Sequence, residues 1–219
     1  MTPALGVYGA GLSSGTGTLE TEDGTRLSLP IGSWSGAPDT ADVALLARCA
    51  GPTLDVGCGP GRMTAALTER GIPALGIDIS ATAVRMTIDR GGMALRRNVF
   101  DRTPATRRWS HILLADGNIG IGGDVIRLLS RCAELLAPRG TVLLDLEPPG
   151  TALVAKQVRL TSGDRTSQWF RWSWLGTDAL NCLTASAGLT PIALWCTGSR
   201  WQSELVLTDS WPTPGGGFR

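Results

Sequence analysis

The chain has 219 residues, 42% of them hydrophobic, with a formal charge of +1 at neutral pH. That length suits one domain able to bury a core without disulfides or metals, and the scattered charge argues against nucleic acid or an anionic membrane as partner. Five cysteines (Cys49, Cys58, Cys132, Cys182, Cys196) include no Cys-x-x-Cys pair and read as reduced core residues, Cys58 excepted because it lies in a loop; with no apolar stretch of spanning length and no charged-then-apolar leader, a cytoplasmic location is expected.

Residues 1–15, rich in Gly and Ser, are expected to be loosely held. Residues 18–22 and 25–29 alternate around Asp23-Gly24, a strong hairpin signal. Ile31-Gly32-Ser33-Trp34 follows. Val43, Leu45, Leu46 and Ala50 then predict a helix over 39–50, capped by Asp39 or Thr40. Residues 52–56 read as a short buried strand that runs into a loop with Gly57, Gly59 and Gly61 at every second position. Met63, Ala66, Leu67 and Arg70 predict a helix over 62–70, and 74–79 is a second strand with Asp78 near its end. Ser80 can cap a helix over 81–90, and strands are expected at 93–97 and 110–115. The latter leads into Asp116-Gly117-Asn118. From Asp124 a helix presents Val125, Leu128, Leu129, Cys132, Leu135 and Leu136 on one face and closes at Pro138-Arg139-Gly140. The fifth strand, 141–146, ends at Glu147-Pro148-Pro149-Gly150. Strand-like 153–160, an aromatic stretch at 169–174 and a helix over 177–187 come next, and strands 191–197 and 203–208 close as a hairpin through Gly198-Ser199-Arg200.

Alternating strands and helices with a closing hairpin predict one α/β domain. Residues 1–38 form its N-terminal hairpin and cover segment, 39–210 its core, and 211–219 a disordered tail.

The glycine loop carries the function. A strand, a glycine turn, a helix and a second strand ending in an acid make a nucleoside-binding βαβ unit. The dinucleotide pattern G-x-G-x-x-G would require glycine where Arg62 stands. Asp55 would also repel a diphosphate and attract an ammonium group. The expected ligand is an adenosine with an amino-acid tail, and a nicotinamide-dependent oxidoreductase is the disfavoured rival.

Leu54-Asp55-Val56-Gly57-Cys58-Gly59-Pro60-Gly61 followed by Gly76-Ile77-Asp78-Ile79-Ser80 closely resembles class I S-adenosylmethionine-dependent methyltransferases. The resemblance implies a Rossmann-like, seven-stranded, mostly parallel sheet with helices on both faces and a reversed last strand, S-adenosyl-L-methionine as cofactor, and methyl transfer. By position, Asp55 would hold the methionine ammonium, Gly57, Cys58, Gly59 and Gly61 would line methionine and ribose, and Asp78 with Ile79 would bind the ribose end. Asn98 stands where the family often has an acid facing the adenine amine, and its side-chain oxygen can accept the same bond; Val99 would cover the ring. The loop after strand four faces the methyl group in similar enzymes, so Asp116 would border the cofactor as well. The resemblance also allows a homodimer.

For catalysis, Asp116 could accept a proton that Asn118 helps orient; equally, both could stabilise a glycine turn or cap the following helix. Glu147, at the end of the next strand, could be a substrate-facing acid. His111 opens its strand, at the end of the sheet away from the cofactor, and reads as structural. Trp169, Trp172 and Trp174 either wall an acceptor pocket or pack a core. Ile31 to Trp34 either covers the cofactor or anchors a loop. No metal site is expected. The reaction that the resemblance implies is methyl transfer, with compact size and balanced charge pointing to oxygen or nitrogen of a small molecule; the Ala-, Arg-, Gly- and Trp-rich composition associates it with secondary metabolism. The alternative is a binding module of the same fold that holds adenosylmethionine without transfer.

Overall fold

In the computed structural model, which describes residues 4–208, the chain opens with a helix where a loose segment was expected: α1, Ala4–Ser14. Its glycines act as contact points. A β-carbon on Gly9 would lie 2.9 Å from Thr82 Oγ1, and Leu12 is buried against Ile31 and Ala83. Tertiary contact outweighs the low helix propensity of Gly and Ser.

The hairpin forms as β1 (Thr18–Thr21) and β2 (Arg26–Ser28), with Leu19 opposite Leu27. Next come α2 (Ile31–Ser35) and α3 (Thr40–Leu46), which is shorter than the 39–50 expected. Asp39 caps α3 reciprocally: its carboxylate accepts from the Asp42 N–H at 2.8 Å, and Asp42 accepts from the Asp39 N–H at 2.9 Å. The βαβ unit follows as β3 (Thr53–Val56), α4 (Arg62–Glu69), β4 (Ala74–Asp78), α5 (Ala81–Asp89) and β5 (Ala94–Arg96). Then β6 (Trp109–Leu114) leads through a 3₁₀ turn into α6 (Val125–Leu135) and β7 (Leu136–Leu146). Pro138-Arg139-Gly140 therefore lies inside a strand and does not close the helix; the pairing of β7 with β6 shifts register there, and Arg139 has φ of 66°.

The rest is β8 (Leu153–Ser162), β9 (Arg165–Thr166), β10 (Phe170–Leu175), α7 (Leu180–Ser186), β11 (Leu189–Thr197) and β12 (Arg200–Leu207). The tail at 211–219 lies outside the described residues.

Seven strands form the main sheet in the order β11-β12-β7-β6-β3-β4-β5. The run from β7 to β5 is parallel, and β12 is antiparallel to both its neighbours. Alternation along β6 shows why both faces are covered: Ile112 and Leu114 enter one core with Leu128 and Leu129 of α6, whereas Leu113 enters the other with Leu45, Leu46 and Leu67. Strand order reverses between β3 and β6, which brings the glycine loop and the Asp116 turn to one crevice at the carboxyl edge.

The hairpin belongs to a second sheet, ordered β10-β8-β1-β2, with Leu19 of β1 opposite Leu160 of β8. Thus the strand-like 153–160 pairs on one side with the aromatic 169–174 and on the other with the N-terminal hairpin. Among the described residues no helix is long and apolar enough to cross a membrane. All five cysteines are free. Cys49, Cys58 and Cys132 are buried, but Cys182 and Cys196 are exposed and are not core residues. His111 accepts from the Ala50 N–H at Nε2 (3.1 Å) and pairs with the Thr141 hydroxyl through Nδ1 (2.9 Å), at the amino end of β6.

Candidate active site

Every residue of β3 is buried, so the strand delivers its loop rigidly to the carboxyl edge. The N–H groups of Gly57 and Cys58 both donate to the Ile77 carbonyl, at 2.8 and 3.1 Å, tying the loop to β4. Gly61 has φ of 86° and a β-carbon there would lie 2.7 Å from Thr87 Cα, so glycine is needed both for the turn into α4 and for the approach of α5. Gly57 likewise leaves room for Asn118, whose amide nitrogen would be 2.8 Å from an added β-carbon.

Two acids flank this loop. Asp55 is 1% exposed and accepts from Thr64 Oγ1 at 2.7 Å. Burial pushes its carboxyl up to about 7; Thr64 pulls it back, and Asp116 and Asp78 add to the rise. Asp78 accepts from the N–H groups of Gly59 (3.1 Å) and Ser80 (2.7 Å), and burial raises its pKa as well. No cation offsets either carboxylate among the described residues. Both are desolvated carboxylates at the two ends of a glycine-rich turn, and Asp78 is close enough to help raise Asp55.

Beyond Asp78, Ile79 is 47% exposed at the rim. Asn98 is exposed too, but its side-chain oxygen already accepts from the Phe100 N–H at 3.0 Å, which takes up one of its two lone-pair sites. Val99 packs in the core beside Ile77 and Ile119. Cys58 is buried, and burial raises its thiol pKa far above neutrality, so it is no nucleophile.

The turn after β6 is held from three sides. The Asp116 carboxylate accepts from Arg62 Nη2 at 2.5 Å, and its N–H donates to Asp145 Oδ2 at 2.7 Å. Asn118 donates from one amide nitrogen to the carbonyls of Val56 and Gly57, both at 2.9 Å, and so clamps the turn to the glycine loop. Glu147 is different. It is half-buried, lines a cleft with Gly117, Ile119, Asp145, Ser173 and Trp174, and makes no side-chain hydrogen bond among the described residues. Burial, and then Asp145, raise its pKa.

The partners of Asp116 were not anticipated. Arg62 is buried and also pairs with Asp42; Arg200, at the start of β12, reaches Asp42 (2.7 Å), Asp39 (3.2 Å) and Asp145 (2.5 Å). Two arginines thus knit α3, α4 and the ends of β6, β7 and β12. Arg62 directly follows the loop, where the dinucleotide pattern would have glycine.

Tyr8 of α1 was also missed. A β-carbon on Gly59 would lie 3.4 Å from its hydroxyl, and burial with Asp78, Cys58 and Asp116 nearby raises its pKa. So α1 lies across the loop, and Ile31 and Trp34 of α2 support it from the same apolar cluster. Of the three tryptophans, Trp174 lines the Glu147 cleft, Trp172 packs on Gly120, and Trp169 is 41% exposed beneath the Arg159 guanidinium, 4.8 Å away.

Residues 39–194 match a family model described as a methyltransferase domain. The ubiquinone biosynthesis O-methyltransferase of Rhodopseudomonas palustris strain TIE-1 is 37% identical over 95 residues, which are 42% of this chain and 38% of that protein. The chain thus spans well under half the length of the curated relatives it matches. A SAM-dependent methyltransferase from Bacteroides fragilis, solved with S-adenosyl-L-homocysteine, superposes with a TM-score of 0.76 at 22% identity over 94% of each chain. The 1,6-didemethyltoxoflavin-N1-methyltransferase of Burkholderia thailandensis superposes at 0.59 with 17% identity over 77% of each. The strand order, the glycine loop and a family match across 39–194 lead to one conclusion: the chain belongs to the methyltransferase domain family.

Proposed function

We propose that this protein is an S-adenosyl-L-methionine-dependent methyltransferase that acts on oxygen or nitrogen of a small-molecule acceptor. The observation that carries the reading is the pair of buried, cation-free carboxylates, Asp55 and Asp78, on either side of a turn with glycine at every second position. That crevice suits a ligand with a cationic amine at one end and a sugar diol at the other, and it opposes the diphosphate of a dinucleotide.

In this reading Asp55 faces the ammonium end, directly or through water. Gly57, Cys58, Gly59 and Gly61 supply backbone, and Asp78 keeps acceptor capacity for the ribose hydroxyls beyond its two backbone bonds. Ile79 offers apolar surface at the adenine end, where Asn98 and the Val99 backbone also lie. The bound cofactor supplies a methyl group already activated on a sulfonium. The chain's own residues have chiefly to align the acceptor and to take a proton. Asp116 is poorly suited to the second task because Arg62 holds its carboxylate. Asn118 serves as the brace of the loop. Glu147, free of partners and with its pKa raised, is the better proton acceptor.

A small acceptor accords with the tight cleft and the balanced charge. Relatives named for O-methylation and neighbours named for N-methylation support either atom. Secondary metabolism is the proposed setting, by analogy alone, and the described chain is read as one domain.

Calorimetry with adenosylmethionine, adenosylhomocysteine and NAD tests the reading, together with labelled-methyl transfer to a panel of amines and phenols. Binding of the first two, no binding of NAD, and transfer to at least one acceptor class are expected. Binding without any transfer would favour a non-catalytic module; NAD binding alone would overturn the cofactor.

A further inference from the structure

The Glu147 cleft lies between the carboxyl edge of the main sheet and strand β10 of the second sheet. Gly117, Ile119, Asp145, Leu146 and Glu147 come from one side, Ser173 and Trp174 from the other. Three features of this cleft point to one chemistry.

First, its charge is uncompensated. Asp145 is already matched by Arg200 at 2.5 Å and by Gln202 Nε2 at 3.0 Å, but Glu147 has no such partner among the described residues. Arg62 and Arg200, the cations of this edge, are committed to Asp116, Asp42, Asp39 and Asp145. An anionic acceptor would meet only repulsion here. Second, Ser173 lines the cleft, and its hydroxyl makes no hydrogen bond among the described residues, which leaves its acceptor capacity for a ligand. A serine hydroxyl can accept a hydrogen bond from an ammonium group. Third, Ile119, Leu146 and the Trp174 ring give apolar walls, and an indole face attracts a cation.

We propose that the acceptor is a primary or secondary amine carried on an apolar frame, bound in its protonated form, and that Glu147, Ser173 and Trp174 select it. This rests on the methyltransferase reading above and narrows its acceptor to nitrogen. The ammonium proton passes to a Glu147 oxygen, which frees the nitrogen lone pair. The lone pair then forms the nitrogen–carbon bond to the methyl group while the carbon–sulfur bond of the sulfonium donor breaks with its electron pair on sulfur. Glu147 ends protonated and passes its proton to solvent. The specificity would lie largely in β10, outside the main sheet, where Ser173 and Trp174 reside.

The test is calorimetry on the full chain saturated with adenosylhomocysteine, titrated with phenethylamine, benzyl alcohol and phenylacetate, three probes that share a ring. The amine should bind about tenfold more tightly than the alcohol, and phenylacetate should not bind. Glu147→Gln should remove that preference and leave adenosylhomocysteine affinity unchanged, which also shows the variant to be folded; Ser173→Ala should weaken the amine about threefold to fivefold. Equal or tighter binding of alcohol or phenylacetate, no amine binding, or an unchanged preference in Glu147→Gln would overturn the proposal. Failure of adenosylhomocysteine to bind wild type would instead sink the cofactor reading beneath it.

Discussion

Asp55→Asn should change the pH dependence of folding in a way no neighbouring carboxylate can imitate. The Asp55 carboxyl is buried and shifted from 3.8 to about 7, with desolvation as the main cause. The folded state therefore holds this proton more tightly than the unfolded chain does. Its contribution is fully present below about pH 4 and is lost as pH rises through about 7. A shift of about three units corresponds to about 4 kcal/mol, lost at about 1.4 kcal/mol per pH unit across that window and constant above it. Asparagine is nearly isosteric, can accept from Thr64 Oγ1 and does not titrate. Asp78, Asp116 and Glu147 are also raised, but both proteins carry them, so their contributions largely cancel in the comparison.

Urea denaturation of the ligand-free protein at about pH 5 and about pH 7.5 should show the variant gaining on wild type by about 3 kcal/mol between the two. Adenosylmethionine should reverse the advantage, since a cationic ligand favours the Asp55 carboxylate and wild-type affinity should rise with pH up to about 7. Parallel stability curves for the two proteins over this range would refute the claim that Asp55 is buried without a compensating charge.

Arg62→Met should destabilise the fold by about 3 kcal/mol, because Asp42 is buried and would keep only Arg200 and its capping bonds; chemical denaturation reads this directly. Gly61→Ala combines a φ of 86° with a β-carbon 2.7 Å from Thr87 Cα, so a loss of about 2–4 kcal/mol and a sharp fall in adenosylhomocysteine affinity are expected by thermal melts and calorimetry. Gly120→Ala would drive a β-carbon to within 2.3 Å of the Ser173 carbonyl oxygen and 2.4 Å of Trp172 Nε1. It should disturb amine binding in the Glu147 cleft by about tenfold or more while changing adenosylhomocysteine affinity by less than about threefold, both measured by titration.

Local spacing carried a good deal of this protein. Gly57, Gly59 and Gly61 between two apolar strands, with Asp55 and Asp78 at fixed offsets, announce a βαβ crevice because turn conformation and strand burial are properties of neighbouring residues. The same local logic located β1 and β2 at Asp23-Gly24 and the apolar face of α6. What tertiary structure alone decided lies in partners far apart along the chain. Glycine-rich residues 4–14 become a helix only because Gly9 and Leu12 meet the first turn of α5 and Ile31. Strand β1 acquires its second neighbour from β8, about 140 residues later, and no periodicity encodes that pairing. That Asp116 and Asp145 are held by Arg62 and Arg200 while Glu147 is not, the contrast on which the proposed proton acceptor rests, is likewise set by distant partners. A carboxylate's chemistry depends on which charges stand within a few ångströms, and that distance is set by the packed fold, not by position in the chain.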